Sequence, residues 1–172
     1  MKCPGAGRAG RLVLGSLVAL LGTVGGSASA AGVGAPLPEP PFERYRVAPT
    51  FRGTPAAVDL RSDRRARRFR TVLRQGAAGG PDFADHFTVV TWGCGSGCQS
   101  HAIVDARTGA VVVLPGETSY GIAYRRDSRL LVLDPADRCI DPDVVGPVVS
   151  TWYAWNGRAL VRLRSPRIVA PC

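Results

Sequence analysis

The sequence predicts a mainly β (α+β) fold: an antiparallel β meander, built as an open sheet, sandwich or partial barrel, with one N-terminal amphipathic arginine-rich helix against it. Three observations predict this. Apolar runs of strand length alternate with turn signals from His86 onward. An Asn156-Gly157 dipeptide links two alternating runs, the strongest short-range hairpin signal. Helical periodicity, by contrast, is confined to one segment, residues 62–75.

In chain order, residues 1–30 read as a secretory signal peptide. Lys2, Arg8 and Arg11 precede a thirteen-residue apolar run, and Ala28-Ser29-Ala30 puts small residues at −3 and −1 of a cleavage site after Ala30. That run falls short of the ~20 residues a spanning helix needs. Cys3 lies before it, where a lipoprotein cysteine would lie after it. Residues 31–41, with four prolines, form a Pro-rich arm. The remainder, 42–172, suits one β-rich domain that buries roughly 70% of its unfolded surface.

Short strands are expected around Tyr45–Val47 and Ala57–Leu60. In the helix, Ser62 or Asp63 is the N-cap and Gly76 the stop, while Ala66, Phe69, Leu73 and Ala77 make a narrow apolar stripe. The strand runs that follow are HFTVVTW, HAIVDA, AVVVLP, YGIAY, RLLVLD and TWYAW-NG-RALVRL. The rhythm also matches a β-propeller blade, but a closed propeller needs about four blades and the chain has material for fewer than two. A two-residue Asn156-Gly157 link sets Trp152 opposite Val161 and Ala154 opposite Ala159, with Tyr153, Trp155, Arg158 and Arg162 on the other face.

The densest chemistry is TWGCGSGCQSH, residues 91–101. Pairing residues 86–94 with 98–106 about a Gly95-Ser96-Gly97 turn puts Val89 against Ile103, Val90 against Ala102, Thr91 against His101 and Trp92 against Ser100. The same register puts Cys94 against Cys98, at a Cα spacing of ~4.5–5.5 Å that a disulfide accepts. After the leader, four cysteines remain, and an even number in an exported chain reads as two disulfides, Cys94–Cys98 and Cys139–Cys172. In the chain-entropy model the first contributes about 2 kcal/mol and the second about 3.8 kcal/mol. The first shapes a loop and the second ties down the C-terminus. The candidate binding residues are therefore those of a stapled tip: Trp92, Gly95, Ser96, Gly97 and Gln99.

Other chemistries fit less well. A redox pair wants its first cysteine at a helix N-terminus, and the spacing here is C-x3-C in a strand–turn–strand. A soft-metal site from Cys94, Cys98 and His101 needs a bulge or a slipped register, because His101 falls on the opposite face. A zinc site from all four cysteines has no matching spacing. Cys94 stands where a nucleophile elbow for Ser96 needs glycine, and the Lys-Ser/Thr of a phosphate-binding loop is absent. His86 and His101, beside Asp85 or Asp105, admit an acid–base dyad; hydrogen-bonded strand histidines are the plainer alternative. No cofactor is implied.

Charge is unevenly spread. The net charge of +9 falls to +6 without the leader's three cations, and RSDRRARRFRTVLR, residues 61–74, carries all of it: seven arginines against one acid. Arg64, Arg65, Arg67, Arg68 and Arg74 thus form a candidate patch for an anionic surface or acidic partner. With 21 Arg to one Lys, arginine abundance alone carries little weight; its confinement to one element carries more. Nucleic acid is disfavoured by the expected export and by the absence of interleaved aromatics apart from Phe69.

Residues 83–109, FADHFTVVTWGCGSGCQSHAIVDARTG, resemble a stretch of small exported proteins of Gram-negative bacteria, with Phe-Ala-x-His, Trp-Gly-Cys-Gly-x-x-Cys and Asp-x-x-Thr-Gly in order. DSRLLVL and WYAWNG fit the same likeness, which covers about half of the mature chain. It implies a class and a periplasmic address, and no mechanism. The expected function is a non-enzymatic secreted or periplasmic binding or inhibitor-like module acting through the tip 92–98 on a protein or envelope ligand. The alternative is a thiol- or metal-handling or hydrolytic protein using Cys94, Cys98, His86 and His101.

Overall fold

Alternation over residues 87–92 and 100–105 produces a two-stranded ribbon whose two faces are both covered at residues 87–90 and 101–104. The structure is a computed structural model and describes residues 40–138, 147–164 and 169–171, all within the unit Pro36–Cys172. The expected leader, most of the Pro-rich arm and the Cys139–Cys172 pair lie outside the described residues.

Among the described residues there are nine strands and one helix, α1 (Arg70–Ala77), with short 3-10 turns at Phe42–Tyr45, Ala66–Phe69 and Ala136–Arg138. Strands β1 (Phe87–Gly95), β2 (Cys98–Asp105) and β3 (Val111–Val113) form one antiparallel sheet in sequence order. Strands β4 (Ile122–Tyr124), β5 (Leu130–Leu133), β7 (Thr151–Trp155) and β8 (Leu160–Arg162) form a second, while β6 (Pro147–Val149) pairs with β9 (Val169–Pro171). This is the antiparallel α+β meander that the strand rhythm predicted, and among the described residues no sheet closes into a barrel.

Period-two alternation decides the layers. Phe87, Val89 and Ile103 face Ile122, Leu131 and Trp155, so the two larger sheets share one core. Their neighbours Val90, Ala102 and Val104 point the other way and bury Ala66, Leu73 and Ala77 of the arginine segment. On the far side of the second sheet, Leu130, Val132 and Trp152 cover Phe42. Full burial of a side chain such as Leu73 stabilises by roughly 2 kcal/mol.

The helix is shorter than the 62–75 expected. Asp63 turns its carboxylate to the amides of Arg65 and Val113, at 2.8 and 3.0 Å, and the Ser62 hydroxyl accepts from Val111 at 2.8 Å. These residues spend their polar groups pinning the chain to β3, and regular α geometry begins only at Arg70. Gly76 does not stop the helix; it lies inside it, where a Cβ would come within 2.6 Å of the Val90 side chain. We expect Gly76→Ala to cost about 1–3 kcal/mol by overpacking, partly offset by about 1 kcal/mol of helix propensity. Urea melts of Gly76→Ala, Val90→Ala and the double variant check this: the double should be more stable than the sum of the singles.

Two hairpins depart from the expected register. At the tip, Gly93 pairs with Gln99 but Gly95 pairs with Cys98, so a bulge at Cys94 replaces the Cys94–Cys98 pairing. The connection is then Ser96-Gly97 alone, with Gly97 at a φ of 61°, a conformation that suits glycine. The Trp155 hairpin is wider than two residues. Tyr153 pairs with Arg162, Ala154 with Val161 and Trp155 with Leu160, because the Asn156 side chain accepts from the amides of Arg158 and Ala159 at 2.9 Å each and holds a longer turn. Trp152 and Trp155 are consequently both buried, on opposite faces. The strands expected near Tyr45–Val47 and Ala57–Leu60 reduce to isolated bridges, Arg46 to Ser128 and Asp59 to Ala110.

Candidate functional site

The β1–β2 ribbon carries a chemical feature at each end. At the closed end, Cys94 and Cys98 are joined by a disulfide with a Cα–Cα distance of 5.2 Å. The bulge swings Cys94 to the same side as Cys98 although the two are not paired, so the bridge forms in a register different from the expected one. Gly93 to Gly97 are exposed. Gln99 is half-buried, and its main chain exchanges hydrogen bonds with Thr118 at 2.8 and 2.9 Å, which seats the base of the tip on the segment after β3. Glu117 of that segment comes within 4.8 Å of both sulfurs.

His101 does not join them, which corrects the metal set Cys94, Cys98 and His101. It is 1% exposed, and its Nδ1 and Nε2 meet the hydroxyls of Thr91 and Thr118 at 2.9 and 2.8 Å. Burial lowers its pKa, against the opposing charge of Asp134. His101 is thus a core histidine with both ring nitrogens satisfied. With the disulfide closed, the sulfurs are also bonded to each other and are not thiolates.

Trp92 is only half-exposed. Its ring stacks at 4.5 Å and 38° on Phe69, and the Arg68 guanidinium lies 5.8 Å from the Phe69 ring. The tip and the arginine segment, which read as separate features in the sequence, are therefore one surface. Within it Arg65 is spoken for: its guanidinium donates to the carbonyls of Val113 and Leu114 and pairs with Asp63. The side chains of Arg64, Arg67, Arg70 and Arg74 are exposed and have no ion pair or hydrogen bond among the described residues. Arg70 thus belongs to the free set and Arg65 does not.

At the open end of the ribbon is a second constellation. Asp85, with a φ of 76° and preceded by Ala84 at 41°, is 8% exposed. Its carboxylate accepts from the amides of Thr50 and Phe51 (2.8 Å for Phe51), from Arg107 at 2.9 Å and from His86 Nδ1 at 3.1 Å. Burial opposes ionisation, but the Phe51 amide, the His86 imidazole and the Thr50 amide outweigh it and hold the carboxyl at about 2. His86 lies over Phe87 at 4.1 Å, and its Nε2 is 3.8 Å from the Asp105 carboxylate. Asp85, His86, Phe87, Asp105 and Arg107 line a cavity of about 390 Å³ that also takes in Val47, Ala48, Arg129 and Trp155.

Sequence reasoning paired His86 with Asp85 or Asp105 by proximity along the chain. It had no access to Thr50, Phe51, Arg107 or Arg129, which only the fold delivers. The same holds for Asp82, whose pKa burial raises, and for the Tyr124 hydroxyl, 3.0 Å from it and pushed up to about 12 by burial and the Asp82 charge. The four residues of the thiol or metal alternative do not converge. His86 precedes β1, the cysteines close the ribbon, and His101 lies between them in the core. Among the described residues no helix is long and apolar enough to cross a membrane. Comparison with family models, curated proteins and solved structures finds no match to this chain.

Proposed function

We propose that the chain is an exported, non-enzymatic binding or inhibitor-like module. Its ligand is the acidic surface of an envelope or host protein, held by the stapled tip 92–98 together with the free arginines of the neighbouring segment. The observation that carries this reading is the Phe69–Trp92 stack, which makes the exposed tip and the cationic shoulder continuous. A disulfide pre-orders the tip and lowers the entropy cost of capture. Unpaired guanidinium groups supply long-range attraction and bidentate carboxylate recognition without first breaking internal ion pairs. The thiol- and metal-handling alternative draws no comparable support, since its side chains lie at separate places along the ribbon.

Photocrosslinking tests this. Reactive residues placed at Ser96 and, separately, at Arg67 should give the same adduct in an envelope extract. We expect that adduct to fall tenfold or more in Cys94→Ser/Cys98→Ser and in Arg67→Glu/Arg70→Glu/Arg74→Glu, a change of about 1.4 kcal/mol or more in binding. Circular dichroism should remain native for both, because the bridge closes a loop worth only about 2 kcal/mol. Different adducts from the two positions, or one indifferent to both variants, would end the reading.

A further inference from the structure

Among the described residues, one set of three metal-ligating side chains comes together: the Cys94 and Cys98 sulfurs and a Glu117 carboxylate oxygen lie within 4.8 Å of one another. Cys94 and Glu117 are exposed and Cys98 is half-buried, so solvent reaches the set. Backbone parity explains why Glu117, and not His101, completes it. Gln99 and Thr118 exchange two main-chain hydrogen bonds as an antiparallel bridge, at 2.8 and 2.9 Å. Thr118 is buried and turns its hydroxyl inward to His101. The adjoining Glu117 turns to the opposite, solvent face, where Cys98, the neighbour of Gln99, also lies. The Glu117 side chain has no ion pair or hydrogen bond among the described residues, in a chain rich in arginine. An unpartnered carboxylate is thus held beside two sulfurs.

With the bridge closed, those sulfurs carry no charge for a cation. Reduction changes this. A dithiol supplies two electrons and two protons: the Sγ–Sγ bond breaks, Cys94 and Cys98 become thiols, and the dithiol closes into its own disulfide. A divalent cation then displaces the two thiol protons and bonds to the two thiolates. The C-x3-C spacing lies within the two-to-four-residue interval by which one hairpin presents two sulfurs to zinc. To do so the sulfurs must part to about 3.8 Å, the edge of a tetrahedron whose Zn–S bonds are about 2.3 Å. The cysteine Cα atoms already stand 5.2 Å apart, and nothing lies within 4 Å of a would-be Cβ at Gly93 or Gly95. The backbone on either side of Cys94 can therefore shift without a clash. Glu117 supplies the third ligand and water the fourth. Two thiolates suit zinc, whereas calcium and magnesium take oxygen.

We propose that the tip is a redox-gated zinc site: as a disulfide it excludes the metal, and once reduced it binds one Zn²⁺ through Cys94, Cys98 and Glu117. Zinc is held by the reduced chain and an acidic partner by the oxidised one, so either property can fail without the other.

The test uses the full mature chain, reduced with a dithiol and freed of it under nitrogen, with Cd²⁺ and Zn²⁺ as probes. Cd²⁺ should raise a thiolate-to-metal charge-transfer band in the ultraviolet. Zn²⁺, followed by calorimetry, should bind with release of about two protons. Cys94→Ser/Cys98→Ser, which keeps Cys139 and Cys172, should bind one equivalent fewer of either metal. Glu117→Gln should bind Zn²⁺ about tenfold more weakly or worse. Glu43→Gln, at a carboxylate that pairs with Arg46 and Arg125, should bind it as wild type does. The unreduced chain should show no band. A band in the unreduced chain, equal stoichiometry with and without the two cysteines, or unchanged Zn²⁺ affinity in Glu117→Gln overturns the proposal.

Discussion

Gly109→Ala is expected to cost about 3–4 kcal/mol, enough to unfold much of a marginally stable domain. Gly109 has a φ of 78°, and a Cβ there would lie 2.0 Å from the carbonyl oxygen of Ala57. That oxygen belongs to main chain held in place, since the Asp59 amide donates to the Gly109 carbonyl and the Ala56 amide to that of Ala106, both at 2.8 Å. A flexible side chain could give way, but this backbone cannot without breaking those bonds. Gly157 is the control: it has a φ of 95°, but nothing lies within 4 Å of its would-be Cβ. Gly157→Ala should cost only the conformational penalty, about 1–2 kcal/mol. Urea midpoints at unchanged m-value measure the difference, and equal losses at the two sites would mean that the Ala57 contact contributes nothing.

The second large effect is expected at Asp85. Asp85→Ala should destabilise by about 3–5 kcal/mol, since it leaves two amides, an imidazole and a guanidinium without their common acceptor. Asp85→Asn should be nearly as costly, because one side of its amide is a donor facing donors. The pH dependence has a definite sign. The folded carboxyl is held at about 2, below its ordinary value of 3.8, so its stabilising contribution is complete above the ordinary value and is lost as pH falls toward 2. Wild type should therefore lose stability between about pH 5 and pH 2, and Asp85→Asn should lose less over the same window. Asp82, raised by burial, has the opposite sign and cancels in the comparison because both chains keep it. Parallel slopes for the two chains would show that Asp85 is not the anchor of this segment.

The strand rhythm was legible because period-two alternation reports local backbone geometry. Val89 with Ile103, Val90 with Ala102, Thr91 with His101 and Trp92 with Ser100 pair as the pattern requires. The apolar stripe Ala66, Phe69, Leu73 and Ala77 likewise faces the sheet. Turns were less legible. A bulge at Cys94 and a longer loop at Asn156 each shift pairing beyond the point where side-chain alternation constrains it, and there the outcome rests on local hydrogen bonds such as those of the Asn156 carbonyl.

By itself, then, the sequence determined the fold class, the faces of the long ribbon, the seat of the positive charge and the partnership of Cys94 with Cys98. Those features follow from near neighbours and from periods of two and three to four residues. Tertiary structure alone decided that Trp92 stacks on Phe69, that Gly76 makes room for Val90, and that Asp85 gathers Thr50, Phe51 and Arg107 across 22 to 35 residues of chain. Contacts at that separation leave no periodic trace: which distant polar groups meet depends on how two sheets and a helix settle against one another, and that is set by the packing of the whole core.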